Sequence, residues 1–153
     1  VDNLHERAGS SKVIHLHGEL TKARPENRYN DRDNFSESCV INIGTKPIHL
    51  GDKAPNGAQL RPHIVWFGEA VPKIEEAIAE VETADILLIV GTSMQVYPAA
   101  GLYSYAPQAT PIYVIDPKDV PLRDKRVIHI KDVATNGMKN ILLSLGLKSA
   151  SDD

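Results

Sequence analysis

The sequence of 153 residues predicts an α/β fold built on a parallel sheet, and three observations carry that prediction. In the last third, apolar strands at 84–90, 111–115 and 126–130 alternate with helical patterns at 98–105 and 136–145. Continuous apolar strands alternating with helices indicate a parallel sheet covered on both faces. Two of these strands end in small or polar residues, Gly91-Thr92-Ser93 and Asp116-Pro117, at the edge where ligands of such sheets bind. The composition, 42% hydrophobic and 24% charged, is that of an ordinary soluble globular domain. A chain of this length buries roughly two thirds of its unfolded surface.

The remaining elements follow in order. A short helix opens the chain, with Asn3 and Glu6 at the spacing of a capping box and Gly9 placed to end it. Residues 13–17 read as a strand with Val13, His15 and His17 on one face and Ile14 and Leu16 on the other. Gly18 lets the backbone turn at once, so His17 stands at a strand end facing a loop. The polar stretch 21–35 reads as an exposed loop. Residues 38–50 return to alternation and predict a small, irregular sheet or hairpin, followed by a turn at Pro55-Asn56-Gly57. Leu60 to Glu69 reads as a strand that opens on a loop at Gly68-Glu69. A helix runs from Pro72 to Glu82, with Ile74, Ala77, Ile78 and Val81 on its apolar face. The tail 148–153 is polar and expected to be disordered.

Composition excludes several function classes. A formal charge of −3 without a basic cluster argues against nucleic acid as the main partner. The single cysteine, Cys39, rules out an internal disulfide and any multi-cysteine metal site, and fits a reducing, cytoplasmic setting. The longest apolar run, Ile86 to Val90, is too short for a bilayer, and no signal peptide is visible. Gly91, Thr92 and Ser93 could bring backbone and hydroxyls to a phosphate or ribose, or could form a plain strand-to-helix turn. Asp116 could accept from ribose hydroxyls or simply cap a turn. His15 and His17 form an H-x-H pair, yet no second pair stands at a convincing metal-ligand spacing.

Together, the stretches Val1 to Gly9, Leu16-His17-Gly18-Glu19, Leu60 to Glu69, Gly91-Thr92-Ser93 and Val96 to Gly101 resemble the sirtuins, NAD-dependent protein lysine deacylases. The wording of 61–69 is most similar to their bacterial desuccinylase-like branch. The resemblance implies a Rossmann-like sheet with a small inserted module, and assigns roles. His17 would be the general base that activates a ribose hydroxyl after the acyl oxygen has displaced nicotinamide from NAD. Asp2 would lie by the nicotinamide carboxamide. Gly91, Thr92 and Ser93 would meet the ribose and phosphate side of NAD. Asp116, with Pro117 and Lys118, would stand at the adenosine ribose, and Val133 would offer backbone to the adenine. Val65, Trp66, Phe67, Gly68 and Glu69 would line the acyl-lysine tunnel and pair with the acyl-lysine peptide or protein.

The sequence departs from the family pattern in two places. Many sirtuins hold zinc with two cysteine pairs between the histidine and the Trp-Phe-Gly strand. Here only Cys39 remains, so no zinc is expected, and Val40, Ile41, Ile43 and Ile48 are the candidates to pack the module instead. The family's first strand and glycine-rich loop, and its selectors of acidic acyl groups, do not occur in the chain. The expectation is therefore an incomplete Rossmann-like domain over 1–20 and 60–147, with an inserted module over 21–59. It is further expected to be a fragment, inactive by itself, that partners the missing amino-terminal segment. The expected activity releases nicotinamide and O-acyl-ADP-ribose. The alternatives are a non-catalytic module binding NAD, ADP-ribose or an acyl-peptide, and a metal-dependent hydrolase using His15 and His17.

Overall fold

The computed structural model of the chain describes residues 1–26 and 39–147. It forms two compact units, Val1–Glu75 and Glu76–Asp153. The expected loop over 27–35 and the tail 148–153 lie outside the described residues. Among the described residues, no helix is long and apolar enough to cross a membrane.

The first unit begins with helix α1 (Leu4–Arg7). Its start is not the expected capping box. Asn3 makes no side-chain cap, and the Leu4 N–H is taken instead by the Asp2 carboxylate at 2.9 Å. Glu6 is engaged by His15 and is not free to reach back to the helix start.

Strand β1 is Gly18–Pro25, strand β2 is Ile41–Asn42 and strand β3 is Leu60–Ile64, in the order β2-β1-β3, all antiparallel. The expected strand over 13–17 does not form. Leu16 and Gly18 donate to the carbonyls of Ile14 and His15, so the segment turns back on itself instead of pairing. Pairing starts at Gly18 and continues through the Thr21–Pro25 stretch that reads as a loop. Its polar residues have little intrinsic strand preference, but partners on both sides supply the ladder, and context overrides propensity. The two-residue β2 fits the irregular sheet expected from 38–50. Strand β3 ends at Ile64, short of the expected Glu69, where Trp66–Glu69 closes a turn through Glu69 N–H to Trp66 C=O at 3.0 Å. Pro62 is tolerated because β3 is an edge strand among the described residues.

This unit has little apolar core. Among the described residues Ala23 and Ala54 are its buried hydrophobic side chains, and Val40, Ile41, Ile43 and Ile48 are half-buried.

Helix α2 (Ile74–Glu82) carries the chain into the second unit, where Ala77 is buried. A parallel sheet follows in the order β4 (Leu87–Val90), β5 (Ile112–Ile115) and β6 (Val127–Ile130), as the sequence predicts. The helix expected at 98–105 forms over residues 99–105 as a 3₁₀ helix. Helix α3 (Ala134–Ser144) starts two residues before its expected position. The core of this unit is β5: Ile112, Val114 and Ile115 are essentially fully buried, with Ile141 of α3 against them in the same unit. Central placement explains why β5 alone is covered on both faces. In β4, Leu88 and Val90 remain 39% exposed, so the double cover expected for it is not realised.

Thr110 is the buried polar residue of the core. Its hydroxyl donates to the Ala84 carbonyl at 2.6 Å and joins the approaches to β4 and β5.

Candidate functional site

The fold gathers the predicted site residues into two groups, one in each unit. In the first unit, the N-terminal segment lies along β1, because Leu20 donates to the Val1 carbonyl at 2.8 Å. This sets Asp2 near the start of β1. His17 is half-buried, immediately before β1, and its carbonyl accepts from the Val65 N–H at 3.0 Å. The base candidate and the start of the predicted peptide-binding loop are thus tied backbone to backbone.

Gly18 makes this approach possible. Its φ is +86°, and a Cβ there would lie 2.0 Å from the His63 carbonyl oxygen. Only glycine allows the two segments to close to that distance. His15 is nearly buried and points its Nε2 to the Glu6 carboxylate, with Glu19 at 3.8 Å, so its ring braces α1 against β1. Among the described residues no group of three or more His, Cys, Asp and Glu side chains comes together as a metal site would require. A small, open cleft runs beside this brace, lined by His15, Leu16 and Gly18 and by His63, Ile64 and Val65. Burial, and then the nearby Arg24 charge, push the His63 imidazole below its ordinary value, so it is neutral at pH 7.

Beyond Val65 the loop is presented outward. Trp66 is half exposed and Phe67 95% exposed, while Gly68 turns the chain back. Glu69 closes the loop against two arginines that the sequence reading overlooked. Arg24 Nη2 reaches its Oε2 at 3.0 Å, and Arg61 meets both oxygens, Nη1 at 2.5 Å and Nη2 at 3.2 Å. The Trp66 N–H donates to the same carboxylate at 2.9 Å. Both guanidiniums also donate to the Ile64 carbonyl, and the Arg61 guanidinium carbon sits 3.7 Å from the centre of the Trp66 ring. Partial burial raises the Glu69 pKa, but hydrogen bonds from Arg61 and Trp66 and the two positive charges outweigh it and hold the carboxyl below its ordinary range. A detectable signal was present: an arginine inside an otherwise apolar strand, as in Leu60-Arg61-Pro62-His63-Ile64-Val65, must find a carboxylate or carbonyls nearby.

In the second unit, Gly91, Asp116 and Val133 follow the carboxyl ends of β4, β5 and β6, and so share one edge of the sheet. Gly91 donates to the Ile115 carbonyl at 2.9 Å, and a Cβ on it would meet nothing within 4 Å. The side of Gly91 where a side chain would stand is therefore unobstructed. Thr92 Oγ1 accepts from the Met94 N–H at 3.3 Å and Asp116 Oδ1 from the Lys118 N–H at 2.8 Å, so both side chains also shape their own turns. His129 places a ring nitrogen 3.0 Å from the Asp116 carbonyl oxygen. The Val133 N–H is taken by Asp132 Oδ1 and its carbonyl accepts from the Gly137 N–H, leaving its half-exposed side chain as the surface it offers.

The chain is similar to known proteins. Residues 1–98 match the model of the Sir2 family. An NAD-dependent protein deacylase of Bacteroides thetaiotaomicron is 49% identical over 144 residues, 92% of this chain and 59% of the relative. A protein of the same description from Helicobacter pylori is 52% identical over 118 residues, 77% of this chain and 48% of the relative. The chain thus spans about half to three-fifths of the length of these curated relatives. Among solved structures, a Sir2 homologue in complex with NAD superposes with a TM-score of 0.74 at 33% identity, over 94% of this chain and 55% of the other. A mutant Sir2 homologue in complex with ADP-ribose gives a TM-score of 0.70 at 34% identity, over 97% and 60%. The fold is accordingly Rossmann-like α/β.

Proposed function

The chain belongs to the Sir2 family, and from that premise we propose that it is the portion of an NAD-dependent protein lysine deacylase that carries the catalytic base and the acyl-peptide loop. The observation that carries this reading is the backbone tie between His17 and Val65, which sets the base candidate against the loop that would receive the acyl-lysine. NAD supplies the ribose that accepts the acyl group and the nicotinamide that leaves. The residues fit it: the unobstructed side of Gly91, hydroxyls at Thr92 and Ser93, and a carboxylate at Asp116 belong to one sheet edge, where ribose and phosphate oxygens find donors and acceptors. Pro117 and Lys118 continue that edge, the apolar Val133 side chain supports the adenine ring, and Asp2 serves the carboxamide.

His17 is the residue that takes a proton, from a ribose hydroxyl, and imidazole suits that task because its ordinary pKa lies near neutrality. Val65 to Gly68 offer the substrate peptide backbone groups and exposed aromatic rings. The same reading takes 21–59 as a small inserted module and 1–20 with 60–147 as the Rossmann-like part.

The test is to incubate the full gene product with NAD and an acylated lysine peptide. Nicotinamide, deacylated peptide and O-acyl-ADP-ribose in equal amounts are expected. Binding of ADP-ribose without any product would instead favour a non-catalytic nucleotide-binding module.

A further inference from the structure

The sheet of the first unit places Arg24 and Arg61 directly opposite one another as cross-strand partners. Two like charges in that position repel, and both side chains are about nine-tenths buried, which strengthens the repulsion. Burial, then the Arg61 charge, lower the Arg24 pKa, with Glu69 working in the opposite direction. An arrangement so costly persists when the surrounding groups compensate it, and here the compensation comes from one short segment. The Ile64 carbonyl accepts from both guanidiniums and the Glu69 carboxylate accepts from both. These two acceptors are the residues on either side of Val65-Trp66-Phe67-Gly68. Trp66 is fixed twice more, by its N–H on Glu69 and by its ring under Arg61.

We propose that Arg24 and Arg61 are positioning residues for substrate, a paired-guanidinium clamp that holds both ends of the 65–68 loop in the shape that receives the acyl-lysine peptide. Glu69 then acts as the clamp's anchor and not as a wall of the tunnel: its carboxylate is spent on Arg24, Arg61 and the Trp66 N–H. The clamp grips the loop after Ile64, whereas Gly18 packed against His63, outside that loop, holds the backbone next to His17. Losing the clamp therefore loosens peptide binding more than the proton transfer.

This inference rests on the deacylase reading for its kinetic consequence, and two readouts keep the two apart. Trp66 is the sole tryptophan of the 153 residues, so the emission of this chain reports the Arg61 contact whether or not the protein turns over. In the 153-residue chain, Arg24→Met and Glu69→Gln are expected to shift Trp66 emission by several nanometres. In the full gene product they should also raise KM for an acyl-lysine peptide at least tenfold, with kcat and the KM for NAD within about threefold for Arg24→Met. Arg24→Lys keeps the charge without the fork and should recover part of the loss. An inactive wild-type protein whose Trp66 emission still responds would overturn the deacylase reading and leave the clamp standing. Unchanged Trp66 emission in a folded Glu69→Gln protein would overturn the clamp. So would a fall in kcat at constant peptide KM. Should Arg24→Met fail to fold, the milder Arg24→Lys and Glu69→Gln proteins carry the same comparison.

Discussion

At the scale of single residues, the site hangs on Gly18. With φ at +86° and the His63 carbonyl oxygen 2.0 Å from the position of a Cβ, any side chain forces β1 and β3 apart beside His17. Gly18→Ala should cost about 2–5 kcal/mol, combining strained backbone with overpacking, measured by denaturant unfolding. A cost below about 0.5 kcal/mol, within the range of a neutral surface change, would show that the segments separate freely. The Asp124–Arg126 pair makes a pH prediction. Hydrogen bonds from the Arg126 side chain, then from its backbone N–H, lower the Asp124 pKa from 3.8 to about 2. A depressed folded pKa contributes stability above the unfolded value and loses it as pH falls through the folded one. The stability gap between wild type and Asp124→Asn should thus be complete above about pH 5, shrink as pH falls through the two pKa values and vanish only below about pH 2, followed by urea unfolding across that range. The backbone freedom of Gly18 was legible because a glycine after a histidine in a turn-prone stretch carries its geometry on its face. Arg24 was not, because nothing local says which carboxylate 45 residues away will meet it.

At the scale of elements, the parallel strands were legible, as were β3 and the irregular stretch that holds β2, whereas β1 was not. Strands β4 to β6 are mostly Leu, Ile and Val, interrupted by Tyr113 and His129, and such apolar runs mark strands without knowledge of their partners. Strand β1 is Gly-Glu-Leu-Thr-Lys-Ala-Arg-Pro, and only its pairing with β2 and β3 makes it a strand. The apolar stretch 13–17 erred the other way: it has strand composition but no partner among the described residues. Helix α3 hides a second contact that periodicity does not reveal. Gly137 faces β5 so closely that a Cβ would lie 2.4 Å from Ile115 Cγ2. Gly137→Ala gains helix propensity yet should destabilise by about 1–3 kcal/mol, because the helix must lift from the strand. Adding Ile115→Leu, which takes the branching Cγ2 methyl off the Cβ at nearly constant volume, should restore part of that loss in thermal unfolding. An alanine that stabilises the protein would contradict the close packing.

At the scale of the molecule, the two units carry complementary parts of one proposed chemistry: a base and peptide loop in the first, a nucleotide-binding sheet edge in the second. Strand β4 pairs with β5 alone among the described residues and leaves Ile86, Leu88 and Val90 each 39% exposed. An apolar edge of this kind promotes association. The 153-residue chain should therefore self-associate in sedimentation experiments, and Leu88→Lys should reduce that; an equally monomeric wild type would contradict it. The most direct test concerns His17. In the full gene product, His17→Ala should lower NAD-dependent release of deacylated peptide at least a hundredfold, while the Kd for ADP-ribose stays within about threefold. Turnover near the wild-type rate in that variant would show that His17 is not the base.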